Sequence, residues 1–311
     1  MLHEEKDWYT ISRTPGLSEE FIRENYNKVN WINISAMQKL SEGFIREFSN
    51  KIHWINISIC QKLSEEFIRE FSDKVNWEWI SKHQKLSEDF IREFSNEVDW
   101  RNISKHQKLS EDFIRDNSDK VNWCNISYSQ ILNEGFIREN SDKVCWSYIS
   151  IYQKLSEEFI RENSDKVHWG CVSCYQKLSP EFIKEYNLTI PETCWLYKDK
   201  EFKRKYIKNN TDYDIIGDKV IAYKTCRKDG CSLYSLQYLY EVGGEYESNA
   251  DYNTNEDNSF GLSAWTQEMA LGHYNCGKLF KVEIDLEDIA AIVHNGNKIR
   301  ASKIKIIEEV K

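Results

Sequence analysis

Residues 30–52 read Asn-Trp-Ile-Asn-Ile-Ser-Ala-Met-Gln-Lys-Leu-Ser-Glu-Gly-Phe-Ile-Arg-Glu-Phe-Ser-Asn-Lys-Ile, and His53-Trp54-Ile55-Asn56-Ile57-Ser58 then begins the same phrase again. Trp8, Trp31, Trp54, Trp77, Trp100, Trp123, Trp146 and Trp169 recur every 23 residues, so eight copies cover residues 7 to about 191. A fixed period of this length marks an array of stacked supersecondary units. Leu nine residues after Trp and the Phe-Ile pair at thirteen and fourteen occur in all eight copies, and Ile at three is replaced once, by Val172. These spacings place apolar groups on one face of each of two short helices and do not fit strand alternation.

The start of the second helix is written in the cap slot: Ser18, Ser41, Ser64, Ser87, Ser110, Asn133, Ser156 and Ser179. Asn caps as well as Ser, because its side-chain oxygen also accepts an orphan backbone N–H. The next slot is Glu in seven copies, which suits the positive end of a helix, and Pro180 in the eighth, which suits the first helical position. The first helix is expected to start before Trp, where Asp7, Asn30, Asn76, Asp99 and Asn122 are capping types. Glu42 with Arg46, and Glu65 with Arg69, stand four apart in the favourable order. Helices this short do not persist alone in water. The expected architecture is therefore mainly α, an α-solenoid of eight 23-residue two-helix repeats over residues 7–191.

The composition sets the outer limits. Hydrophobic residues make up 40% of the 311 and aromatics 14%, enough to bury a core and to exclude global disorder. The formal charge of −9 argues against a nucleic-acid partner. No apolar run approaches the ~20 residues that span a bilayer, and the charged N-terminus lacks a signal-peptide core. A soluble, non-secreted, cytoplasmic protein is expected, with its nine cysteines reduced.

The repeat resembles the short Trp-x-x-Ile-Ser … Leu-Ser-Glu-x-Phe-Ile-Arg repeats of proteins from giant, amoeba-infecting DNA viruses. The resemblance implies a viral repeat protein working in the host cytoplasm, and it brings no activity with it.

After Ile190-Pro191 the period breaks. Residues 192–211 are expected to form a basic capping helix or linker, since 198–208 carry six basic and two acidic side chains. Residues 212–311 are expected to form a small α+β domain. Strands are expected at Lys219–Arg227, Tyr234–Val242, Glu245–Ser248, Leu279–Ile284 and Lys298–Val310, and a polar loop at Asn249–Asn258. Helices are expected at Ser263–Tyr274, capped by Ser263, and at Leu286–Val293. This half resembles a small domain of giant-virus and phage proteins, through Tyr223-Lys224, Tyr240-Glu-Val-Gly243, Phe260-Gly-Leu-Ser-Ala-Trp-Thr266, Lys278-Leu-Phe-Lys-Val-Glu-Ile284 and Lys298-Ile-Arg300. Its order of elements is also similar to an ADP-ribosyltransferase. That resemblance implies NAD-holding roles for Tyr223 or Arg227, for Ser263 with Thr266, and for Glu283. Ser263 and Thr266 stand three apart rather than two, and the candidate Glu283 is not part of a Glu-x-Glu.

No phosphate loop, His-Glu-x-x-His, Gly-x-Ser-x-Gly or calcium loop occurs, and no cofactor or metal is expected. Cys171-x-x-Cys174 has the spacing of half a zinc site, but both residues occupy variable slots and no second such pair follows. The functional signal is the variation itself. The slots five and six after Trp hold Met37, Ile59, Cys60, Lys82, His83, Lys105, His106, Tyr128, Ile151, Tyr152, Cys174 and Tyr175. Of these, Ile59, Lys82, His83, Lys105, His106, Tyr128, Tyr152 and Tyr175 are the candidate contacts to a protein partner, because variable apolar and aromatic groups on a constant frame suit a binding ridge. The expected function is a non-enzymatic protein-protein interaction scaffold. The alternatives are an ADP-ribosyltransferase-like C-terminal domain targeted by the repeats, and a structural component of a virus particle.

Overall fold

The computed structural model describes residues 7–192, 194–233, 238–273 and 277–310. Its contacts fall into two compact units, Met1–Val121 and Asn122–Lys311.

The first unit holds five repeats, each a pair of helices: α1 (Trp8–Arg13) and α2 (Glu19–Glu24), α3 (Trp31–Met37) and α4 (Glu42–Glu47), α5 (Trp54–Cys60) and α6 (Glu65–Glu70), α7 (Trp77–His83) and α8 (Glu88–Glu93), α9 (Trp100–His106) and α10 (Glu111–Asp116). The caps are those the sequence indicates. Ser41 Oγ accepts the Phe44 N–H at 3.2 Å, and Asn30 Oδ1 accepts the Asn33 N–H at 3.0 Å. His53 also caps, its Nδ1 accepting from Asn56 N. Ile34, Phe44 and Ile45 are fully buried, as are Ile57, Phe67, Ile80 and Phe90 at the matching slots. Each such side chain contributes about 1.5–3 kcal/mol. The tryptophans are only half-buried, lying beside the core phenylalanines. Trp54 Nε1 donates to Ser49 O at 3.1 Å, which satisfies its polar edge.

Successive repeats in this unit are tied by the same polar contacts. The first helices pack in sequence, α1 on α3, α3 on α5, α5 on α7 and α7 on α9. Gln84 is buried, and its Nε2 donates to Ser58 O and Gln61 O at 2.9 Å, while its Oε1 accepts the Leu63 N–H at 3.1 Å. Gln61 makes the same three bonds one repeat earlier. Ser58 Oγ donates to Trp54 O and accepts the Asn76 N–H. Arg46 reaches forward to Glu70 at 2.7 Å, closer than to Glu42 of its own helix at 3.7 Å, and lies over the Phe67 ring. The pairs expected within a helix are thus chiefly bonds between neighbouring repeats.

The second unit begins with three more repeats: α11 (Trp123–Ser129) and α12 (Glu134–Glu139), α13 (Trp146–Tyr152) and α14 (Glu157–Glu162), α15 (Trp169–Tyr175) and α16 (Pro180–Glu185). Asn133 caps α12 and Pro180 opens α16, as expected. Gln153 and Gln176 continue the three-bond pattern. A 3-10 turn, Trp195–Tyr197, leads to the basic helix α17 (Lys200–Asn210). That helix seats on the C-terminal domain, where Ile207 joins its core and the Lys203 ammonium donates to Glu287 O and Ile289 O at 3.1 and 2.7 Å.

Among the described residues the C-terminal domain is an antiparallel sheet with one further helix. Its elements are β1 (Ile215–Ile216), β2 (Lys219–Cys226), β3 (Glu245–Glu247), β4 (Leu262–Trp265), α18 (Gln267–His273), β5 (Lys278–Asp285), a 3-10 turn at Leu286–Asp288, β6 (Ile289–Val293), β7 (Lys298–Ala301) and β8 (Lys303–Val310). The strand order is β3-β8-β5-β2-β4-β7-β6, with β1 paired to β2. One face carries Val220, Ala222, Leu262, Ala264, Val282, Ile284, Ile299 and Ile306 into a core shared with Trp195, Tyr240 and Tyr252.

Three expectations are corrected here. Ser263 lies inside β4 and caps no helix, because Leu262 and Ala264 flank it as buried strand residues. Leu286–Val293 is a single 3-10 turn followed by β6, whose pairing to β7 overrides the helical look of Ile-Ala-Ala-Ile. Lys298–Val310 is two strands broken at Ser302, because β7 pairs with β4 and β6 while β8 pairs with β3 and β5. Of the strand expected at Tyr234–Val242, residues 234–237 lie outside the described residues, and the rest carries only the isolated bridge Cys231 to Leu239.

Candidate functional site

The slots five and six after Trp end the first helix of each repeat, so α7 and α9 present theirs side by side. Lys82 and His83 close α7, and Lys105 and His106 close α9. Burial pulls the His106 imidazole down to about 4, and the charges of Lys105, Lys82 and His83 act in the same direction. The four bases are therefore electrostatic neighbours, and His106 is neutral at pH 7. Trp79 belongs to the same group, with the His83 ring stacked on it at 5.5 Å and the Lys82 ammonium over its face at 5.1 Å. Its slot, two after Trp77, gave no signal in the sequence. Ile59 is part-buried, and Met37 and Cys60 are exposed in the same unit.

In the second unit three of the equivalent slots hold tyrosines, Tyr128, Tyr152 and Tyr175. Tyr128 meets Tyr152 edge-on at 4.5 Å, and Tyr148 lies 5.9 and 5.8 Å from the two. Tyr148 also escaped the sequence reading; its place four residues before Tyr152 is the signal that would have found it. Tyr152 and Tyr175 pack on Phe260 from the C-terminal domain, with ring centroids at 4.5 and 5.4 Å. Asn249 reinforces this contact, its Nδ2 donating to Ile151 O and Gln153 O. Burial pushes both the Tyr152 and Tyr175 phenols up to about 12. Tyr128 and Tyr148 keep about two-fifths of their surface in solvent, at 41% and 37%. Gly261, next to Phe260, has φ +122, and a Cβ there would strike Ala250 and Arg300 at 3.0 Å, so only glycine delivers this loop to the ridge.

Beside Tyr175 is a cleft of about 90 Å³ lined by Cys174, Tyr175, Pro191, Cys194, Asp251 and Asn253. A nucleotide-sized ligand needs a pocket of roughly 300 Å³ or more. Asp251 is committed to the fully buried Arg300 at 2.9 Å, and Arg300 also donates to Asn253 O and Glu256 O. The Cys194 thiol donates to Cys174 O, and burial pushes it up to about 11.

The residues that the transferase resemblance points to are spread over the sheet. Tyr223 on β2 stands opposite Trp265, and Ser263 on β4 stands opposite Arg300. Glu283 lies on β5, separated from β4 by β2, and is ion-paired to Lys219 at 2.7 Å. Arg227 pairs with Asp229, and Thr266 follows β4, its N–H donated to Asn297 O. The buried Lys224 ammonium donates to Ser263 O at 2.8 Å and lies over the Tyr240 ring, and burial lowers it to about 8. Among the described residues, no group of three or more His, Cys, Asp or Glu is placed to hold a metal ion, and no helix is long and apolar enough to cross a membrane. Comparison with known protein families, curated proteins and solved structures gives no match.

Proposed function

We propose that this chain is a non-enzymatic scaffold, an α-solenoid that binds a protein partner through the ridge at the ends of the first helices. The observation that carries this reading is the contrast between slots. The glutamine, serine and arginine contacts recur from repeat to repeat, whereas the ridge slots change chemistry, from Lys82, His83, Lys105 and His106 to Tyr128, which stays exposed, and to Tyr152 and Tyr175, which pack on the chain's own Phe260. Uniform contacts build the frame, and changing chemistry on a fixed frame is what selects a partner. The basic group with Trp79 belongs to an acidic chain and matches an acidic protein surface by charge and by cation–π stacking. The resemblance of the repeat supports a viral origin and a host-cytoplasmic setting for this partner.

The test is affinity purification from host cells with the full chain and with a Lys82→Ala, His83→Ala, Lys105→Ala, His106→Ala variant. The scaffold reading expects a partner that the intact chain retains, that the variant loses, and that rising salt weakens. Retention by both chains alike contradicts the ridge.

A second reading, ADP-ribosyl transfer by the C-terminal domain, gains one point from the placement of Ser263 on a strand followed directly by a helix. Calorimetric titration with NAD tests it, and absence of heat removes it.

A further inference from the structure

Cys145 departs from the repeat pattern, and its neighbour in the preceding repeat is Cys124, in a slot that varies from copy to copy. The slot before Trp caps the first helix, and in every other repeat Asp, Asn or His fills it and accepts a backbone N–H. Cys145 makes no such bond. Cys145 is instead an electrostatic neighbour of Cys124, whose thiol is raised by burial first and by Cys145 in the same direction. The repeat geometry explains the encounter. Asn33 Nδ2 donates to Tyr9 O, and Asn56 Nδ2 to Ile32 O, so the residue after Trp lies beside the first turn of the next repeat's first helix. Cys124 holds that position on α11, Cys145 caps α13, and the two helices pack together. Both thiols are free, with Cys124 exposed and Cys145 part-buried.

We propose that Cys124 and Cys145 are a redox pair, joined by a reversible disulfide that staples α11 to the start of α13. The oxidant class is a low-molecular-weight disulfide such as oxidised glutathione. The exposed Cys124 thiolate attacks one glutathione sulfur, forming a mixed disulfide and releasing one glutathione thiolate. The Cys145 thiolate then attacks Cys124 Sγ and expels the second glutathione. Two electrons pass from the protein pair to the glutathione disulfide, and the two thiol protons end on the two reduced glutathiones. Reduced glutathione reverses both steps, as suits a transient disulfide in a reducing compartment. Tyr128 lies one turn after Cys124 and Tyr148 one turn after Cys145, so the staple fixes the spacing of the two helices that carry the exposed tyrosines. The pair stands independently of the scaffold reading.

The test equilibrates the full-length protein in glutathione buffers of graded oxidation, blocks free thiols by alkylation and maps tryptic peptides by mass. The expected product links the peptides Val121–Arg138 and Val144–Lys154 with loss of two hydrogens, and reduced glutathione releases it. The Cys145→Asn variant, which restores the ordinary cap, is expected to fold and to stop at a Cys124–glutathione mixed disulfide. Oxidation is expected to raise the thermal midpoint of the parent protein and not that of the variant. The proposal is overturned if Cys124 of the parent also stops at the mixed disulfide, if it links to another cysteine, or if the cross-link forms only in denaturant.

Discussion

Replacing Gln84 by Ala removes one rung of the bonding between neighbouring repeats. Gln84 is 4% exposed and serves three backbone groups of the preceding repeat: Ser58 O, Gln61 O and the Leu63 N–H. Alanine leaves all three without their partner. A buried backbone group stripped of its bond costs about 1–3 kcal/mol. Water entering the vacated space offsets part of this, so the lower end, about 1 kcal/mol per group and about 3 kcal/mol in all, is the expected loss. Lys85, one residue on and exposed, is the control, with an expected change within about 0.5 kcal/mol. The assay is urea unfolding followed by tryptophan fluorescence. With a slope of about 1–3 kcal/mol per molar urea, the midpoint is expected to fall by about 1 M or more for Gln84→Ala. If Gln84→Ala and Lys85→Ala unfold at the same urea concentration, the glutamine bonds do not hold the repeats together and the reasoning fails.

Three further outcomes are expected. Arg300→Met strands the buried Asp251 carboxylate and is expected to cost about 3–5 kcal/mol in urea unfolding, while the Arg300→Met, Asp251→Leu double variant recovers part of that loss. Cys145→Asn supplies the missing cap of α13 and is expected to stabilise by about 1 kcal/mol, read as a higher thermal midpoint under reducing conditions. The third concerns pH. Lys203 and Lys224 release their protons near pH 8 in the folded state, against 10.5 when unfolded. Between those values the unfolded chain binds more protons, so stability rises with pH. Above about pH 10 the sign reverses, because Tyr152, Tyr175 and Tyr197 ionise first in the unfolded chain. Thermal midpoints are expected to climb from neutral pH to near pH 10 and then fall, and a steady fall from pH 7 contradicts the burial of these lysines.

The repeat region was legible in the sequence because its signals are local. A cap such as Ser41 acts on Phe44, three residues on, and eight copies display the rule eight times. The role of Gln84 was not legible, since its partners lie 21 to 26 residues back and nothing local marks a glutamine as buried. Arg46 shows the same limit: its sequence neighbour Glu42 fits the helix rule, yet Glu70 of the next repeat is closer. In the C-terminal domain the misreadings share one cause. Ser263 looks like a cap and Ile289-Ala-Ala-Ile292 looks helical until β7 pairs with both segments. For the ridge, the sequence marked Tyr152 and Tyr175, but their contact with Phe260 depends on how the chain folds back and on the glycine at 261.

The central claim is that the ridge, rather than another face of the repeats, meets the partner. A photo-crosslinking amino acid placed at Lys105 on α9, and separately at Asp112 on α10 of the same repeat, tests it in host lysate. The account predicts a partner cross-linked from position 105, competed by high salt, and absent from position 112. Equal cross-linking from both positions, or cross-linking from 112 alone, contradicts it.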